Sequence, residues 1–171
     1  MRRWAILVSF TMMTGCGDGP TTASQPAFAG HWVGSYVVRQ CAAVGWPSCD
    51  VAPERVNQVY PLDLVLTQSG ASVSGSLQIV ASPVMTVPVT GNASSDTLTI
   101  GGNVVNPVFN RVSTDSIRIT TWSTTRDSRD NLQGTFSFRW DTLWGSGSAP
   151  ERRGSWTLDY QAELLNVTRV P

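Results

Sequence analysis

The chain has 171 residues, enough for one domain and short of two. Charged residues make up only 14%, and 12 basic side chains, all of them Arg, balance 12 acids to a net charge of zero. That balance excludes a basic nucleic-acid binder, which carries a positive excess, and an acidic disordered chain.

The N-terminus reads as an address. Met1-Arg2-Arg3 is a short positive segment, and Trp4 to Met13 is an apolar run of ten. Ten residues at about 1.5 Å each cannot span a hydrocarbon core of about 30 Å, but they suit the apolar centre of an export signal. Thr14 and Gly15 are small, and Cys16 follows. The arrangement resembles a bacterial lipoprotein signal, with Met13 where Leu is usual. The resemblance implies cleavage of residues 1–15, acylation of Cys16 and anchoring to the cell envelope. Gly17, and not an acid, stands directly after the Cys, which in that family favours the outer over the inner membrane, on the periplasmic or surface face. Cleavage also removes Arg2 and Arg3 and leaves a mature charge of −2, the result of 10 basic against 12 acidic residues.

The three cysteines are an odd set for an exported protein. With Cys16 lipidated, Cys41 and Cys49 remain as a pair, flanking the hairpin-sized stretch 42–48. A bridge there would stabilise by roughly 2–3 kcal/mol in the chain-entropy model and implies an oxidising compartment. Two free thiols are the alternative. A metal pair fits poorly, because His31 is the sole histidine and two Cys do not complete a tetrahedral set.

Residues 16–27, the lipidated Cys and a Gly/Pro/Ser/Thr/Ala stretch, cannot bury apolar surface and read as a flexible linker. Residues 28–171 read as one domain with a period of two. Trp32, Gly34, Tyr36 and Val38 alternate with polar or smaller neighbours. So do Leu62, Leu64 and Leu66; Val73, Leu77 and Ile79; Leu98 and Ile100; Ile117 and Ile119; Phe136, Phe138 and Trp140; and Trp156, Leu158, Tyr160, Ala162 and Leu164. This is the pattern of strands buried on one face. Gly, Asn, Asp and Ser clusters separate the runs at 69–72, 91–96, 101–103, 127–131 and 145–148. Pro83 and Pro88 argue that 84–89 is an edge or bulged strand. About eight strands in consecutive hairpins predict an all-β, antiparallel, up-and-down eight-stranded barrel, with an interior that is filled or holds one small ligand.

Gly30-His31-Trp32 on the first strand resembles the calycin group, which includes lipocalins and avidins. There the Trp closes one end of the barrel and an Arg of the last strand packs across it, which implies Arg169 for that role. Strict alternation from Trp156 instead puts Arg169 on the outer face. The run of Ser/Gly/Thr hairpins after a lipid signal is also similar to small bacterial lipoproteins of lipocalin-like form.

Motifs that carry chemistry are sparse. The chain has no Gly-x-Ser-x-Gly elbow, no phosphate loop with Lys and no His-Glu-x-x-His. His31 alternates outward. Asp63, Asp159 and Glu163 fall on polar faces, and Asp127, Asp130 and Asp141 fall in or near loops, so solvated charge is the expectation. Asp127 with Asp130 lacks the Gly and Glu of a calcium loop. No enzyme, metal or cofactor is expected.

The aromatics carry the functional expectation. Trp32, Tyr36, Phe136, Phe138, Trp140, Trp156 and Tyr160 share the inward face and are candidate lining for an apolar ligand cavity, or simply core. Trp46, Trp122 and Trp144 read as loop or outer-face residues. Two functions are open: an envelope-anchored barrel binding a small hydrophobic ligand, or a filled barrel acting through its loops on an envelope protein or as an inhibitor of an exported hydrolase. Some periplasmic inhibitor lipoproteins share a small barrel with an early disulfide, which would make the Cys41–Cys49 loop the active element.

Overall fold

The computed structural model describes residues 28–45, 48–79, 84–108, 113–144 and 154–171. The expected export signal, Cys16, the linker and Trp46 lie outside the described residues, as does the side chain of Trp144. Eight strands are found in chain order: β1 (Gly30–Val44), β2 (Val59–Ser69), β3 (Ser72–Ile79), β4 (Met85–Ala93), β5 (Thr97–Val108), β6 (Ser113–Arg126), β7 (Asn131–Trp144) and β8 (Gly154–Val170). Each pairs antiparallel with its sequence neighbours, and β8 returns to β1, so the sheet closes into an all-β barrel. This is the architecture expected from the sequence and is consistent with a calycin-like barrel. Closure gives every strand two neighbours and leaves no edge strand, although β4 pairs with β5 only from Val89 onward.

The absence of an edge alters the expected role of Pro88. It lies in β4, opposite Ser76 of β3. Its carbonyl points at Gly102 of β5, yet the β4–β5 ladder begins only at Val89. The missing N–H therefore falls on the side where no ladder bond is formed, and an interior strand tolerates the proline.

Alternation holds along most of the wall, so Tyr36, Leu64, Leu77, Val87, Leu98, Ile117, Phe136, Phe138 and Leu158 are all buried inside. Among the described residues, three single-residue bulges break it. Between Val38 and Gln40, β1 gains a residue relative to β8. Between Ile119 and Thr121, β6 gains one relative to β7. In β8, Thr168 and Leu165 sit opposite Val33 and Ser35, so the extra residue lies around Asn166, which has φ 50°. Each bulge inverts the inside–outside phase of the strand beyond it.

Two expectations change as a result. Trp122 is not on the outer face or in a loop: it is buried, its ring lies 4.9 Å from Phe136, and its indole N–H donates to Thr124 Oγ1 at 2.9 Å. Arg169 does not point outward: its guanidinium lies 4.6 Å from the centre of the Trp32 ring.

One end is plugged. The β2–β3, β4–β5 and β6–β7 turns lie there with Phe28 and the end of β8. Phe28 is fully buried, its N–H donates to Gln68 Oε1 at 2.9 Å, and its carbonyl accepts the Trp32 indole N–H at 3.0 Å. Arg126 covers the Phe28 ring at 5.8 Å and pairs with Asp130. The two Arg–ring contacts, shielded by the plug, are of the kind worth about 0.5–2 kcal/mol each.

The bulge at Asn166 needs room on β1, and Gly34 provides it. A Cβ built there would lie 2.6 Å from Val167 Cα and 2.7 Å from the Asn166 carbonyl oxygen. Backbone atoms cannot step aside as a side chain could. We expect Gly34→Ala to lower unfolding free energy by about 1–3 kcal/mol in a chemical denaturation titration, the usual range for overpacking. A variant as stable as the wild type would mean that the β1–β8 seam is loose.

Candidate functional site

We call the opposite end the mouth: β1 and β2, β3 and β4, β5 and β6, and β7 and β8 are joined on that side. The β1–β2 connection, residues 45–58, is far longer than a hairpin loop. The bulge at Arg39 turns Cys41 toward the interior, where it bonds Cys49 of the connection. Further along, Asn57 N–H donates to the Val38 carbonyl at 2.8 Å, and Val38 N–H returns to the Gln58 carbonyl at 3.3 Å. Between these fixed points the chain wraps the hydroxyl of Tyr60. That oxygen accepts from Arg55 N–H at 2.5 Å, and its proton faces two acceptors, Gln58 Oε1 at 3.1 Å and the Pro53 carbonyl at 3.2 Å.

Gripped on both sides, Glu54 is driven inward. It is wholly buried, as is neighbouring Ala52. Neither carboxyl oxygen has a hydrogen-bond partner of good geometry among the described residues. Burial pushes its pKa up to about 8, because the apolar surroundings disfavour the charged form. The Glu54 backbone and the Tyr160 hydroxyl pull the other way without cancelling that effect. Burial, and then the charges of Glu54 and Tyr60, raise the Tyr160 phenol above its ordinary range.

Aromatic rings floor the mouth. Tyr36 lies 5.5 Å from Tyr60, 5.3 Å from Phe136 and 6.3 Å from Phe138. Phe138 stacks on Tyr160 at 4.6 Å. Higher up, Trp140 meets half-buried Trp156 at 5.5 Å, and the Trp140 indole N–H has no partner among the described residues. A second inward acid, Asp115, is buried near the rim and accepts a hydrogen bond from the Thr142 hydroxyl.

The structure thus divides the candidate lining residues between two places. Trp32 belongs to the plug at the far end. Tyr36, Phe136, Phe138 and Tyr160 form a mid-barrel column, ring against ring, and Trp140 with Trp156 forms the wall of the mouth. Glu54 and Asp115 were not among the candidates. Glu54 sits in a Pro-containing loop, where acids are ordinarily solvated. The only cue in the chain is the excessive length of its connection.

The carboxylates expected to be solvated lie on the outer wall and its turns. Asp159 accepts two hydrogen bonds from Arg139, Glu163 pairs with Arg39 at 2.8 Å, and Asp63 pairs with His31 at 2.9 Å. Asp127 caps the β6–β7 turn. Hydrogen bonds from Asn131, first its side chain and then its N–H, hold the Asp127 carboxyl below its usual range. No group of three residues able to hold a metal ion occurs among the described residues. Two shallow grooves mark the outside: one of about 240 Å³ crosses Gln40, Thr120 and Gln161, and one of about 390 Å³ lies beside Val33, Pro61 and Val84.

No protein-family model matches the chain, and no curated protein or solved structure shows significant similarity to it.

Glu54 makes stability depend on pH. Its folded pKa of about 8 stands above the ordinary value of 4.5, so between those limits the folded protein holds a proton that the unfolded chain has released. Stability therefore falls as pH rises through that window, by at most about 1.4 kcal/mol per unit, and levels off above it. The urea midpoint should be lower at pH 8.5 than at pH 5, and Glu54→Gln should remove most of that difference. Parallel pH profiles for the two proteins would show that Glu54 is solvated.

Proposed function

We propose that the protein is an envelope-anchored binding barrel whose ligand, a small apolar or aromatic molecule, enters the mouth beneath the 45–58 connection. The observation that carries this reading is Glu54, a buried carboxyl that has no hydrogen-bond partner of good geometry among the described residues and lies beside the Tyr160 and Tyr60 rings. A purely structural core would place an apolar side chain there. Buried polar groups without partners concentrate where function requires them. The half-buried Trp156 and the Trp140 N–H, unpaired among the described residues, add an apolar wall with a donor for orienting a ligand.

Anchoring through Cys16 fits the same picture. Phe28 lies at the plugged end, so a linker of residues 17–27, at about 3.3 Å per residue, would tether that end within roughly 35 Å of a bilayer. The mouth would then face away from the membrane.

A second reading draws on the mid-barrel rings, which pack closely, and on Val44, Val51, Val59 and Leu143, which are exposed around the mouth. These support a filled barrel that works through its loops on a protein partner.

The neutral fluorophore N-phenyl-1-naphthylamine separates the two. The ligand-binding reading expects saturable one-to-one enhancement with energy transfer from tryptophan, weakened several-fold by Trp156→Ala. Absence of saturable binding, both of this fluorophore and of an aromatic amine such as 2-phenylethylamine, would overturn it in favour of the loop reading. For the anchor, Cys16→Ser is expected to shift the exported protein from the detergent phase to the aqueous phase of a phase-separation assay. A wild-type protein already in the aqueous phase would refute lipidation.

A further inference from the structure

Acids on the two faces of the wall differ in burial. Outside, Asp63, Asp130, Asp159 and Glu163 each have a cationic or ionisable partner within 4.0 Å, while Asp141 is met by the Thr157 hydroxyl and Asp127 by Asn131. Inside the mouth, Glu54 and Asp115 have none among the described residues, and Asp115 is met only by a hydroxyl. The titratable groups facing Glu54 from the elements around it are the phenols of Tyr160 on β8 and Tyr60 on β2, with Tyr36 of β1 beside Tyr60. None of them supplies positive charge at neutral pH. Among the described residues, the enclosure therefore offers two carboxyl groups without a cationic partner, Asp115 and a Glu54 that becomes anionic on losing its proton, together with the electron-rich faces of aromatic rings. A cation is the one partner that both features attract.

We propose that the mouth selects an organic ammonium ion, a small molecule with an apolar or aromatic body and a protonated amine that pairs with Glu54. This rests on the mouth being a ligand site and adds the chemical class of the ligand. Entering charge-first, the ammonium meets Asp115 near the rim. Thr142, the partner of Asp115, stands four residues beyond Phe138 on β7, or about 13 Å along the strand. The ammonium then meets Glu54 beside Tyr160, and its body rests against the Trp140 and Trp156 wall. A buried carboxylate without a partner bears the full cost of desolvation, and an opposite charge at contact distance offsets it. A neutral ligand offers no such gain, and an anion would keep Glu54 protonated and form no ion pair with it. Because Glu54 holds its proton in the empty site at neutral pH, pairing with the ammonium expels that proton to the solvent.

The test compares 2-phenylethylamine with its neutral analogue 2-phenylethanol, by calorimetric titration of the full mature chain in detergent micelles against blank micelles at pH 7. The amine should bind at least ten-fold more tightly than the alcohol. Its apparent heat should vary with the ionisation enthalpy of the buffer in the sense and size of about one proton released. Glu54→Gln, nearly isosteric, should bring the two affinities together. The proton count needs no variant, so it decides the matter even if Glu54→Gln fails to fold. Equal affinities, a preference that survives Glu54→Gln, or binding without proton release would overturn the proposal. If the alcohol or the naphthylamine fluorophore still binds in those cases, the mouth remains a ligand site of another chemistry. If none of the probes binds, the reading of the mouth falls as well.

Discussion

Closure of β8 onto β1 is the constraint on which the rest of the molecule depends. The two strands pair from His31 with Val170 to Val44 with Thr157, the whole height of the wall. A regular ladder of that length could not bring the required side chains inward at both ends. One extra residue in β8 around Asn166, seated against Gly34, turns Val167 and Arg169 inward at the plug. One extra residue in β1 at Arg39 turns Cys41 inward at the mouth. The same seam thus positions the arginine that covers Trp32 and the cysteine that pins the long connection. A bulge is a small local defect, but in a sheet buried on one face it exchanges inside and outside for every residue beyond it.

Plug and mouth put polar groups to opposite uses. In the plug, every element has an evident partner: the Phe28 carbonyl takes the Trp32 indole, Gln68 takes the Phe28 amide, and the guanidiniums lie on ring faces. This is how a barrel end is closed for stability. At the mouth, the disulfide, the Tyr60 hydroxyl and the Val38 backbone all hold a loop whose inward residue has no good partner. Three restraints that bury one uncompensated carboxyl are hard to account for as stabilisation. Under the proposed function they preorganise a carboxyl group for a ligand, which lowers the cost of ordering on binding.

The outer surface obeys simpler rules. Arg139 with Asp159 and Arg39 with Glu163 are exposed pairs between neighbouring strands. Such pairs contribute little stability in water, about 0–1 kcal/mol each. They leave the strand register to the interior.

Much of the wall is legible residue by residue. The alternation around Tyr36, around Phe136 to Trp140 and from Trp156 to Leu164 assigns those side chains to the interior, because a pleated strand with one buried face has a period of two. The hairpin rhythm gives the meander, and the pair of cysteines left beside Cys16 gives the bridge. Trp122, Arg169 and Glu54 were misplaced or missed for one shared reason. The first two lie beyond bulges that nothing in their own strands announces, since an extra residue is defined only against the neighbouring strand. The third is buried by a tyrosine hydroxyl and a disulfide contributed by other elements. The sequence by itself determined a strand-built chain with its apolar face turned inward, because that information is local and periodic. Tertiary structure alone decided the phase of that face after each bulge and the burial of one carboxyl in the mouth, because both depend on contacts between segments far apart in the chain.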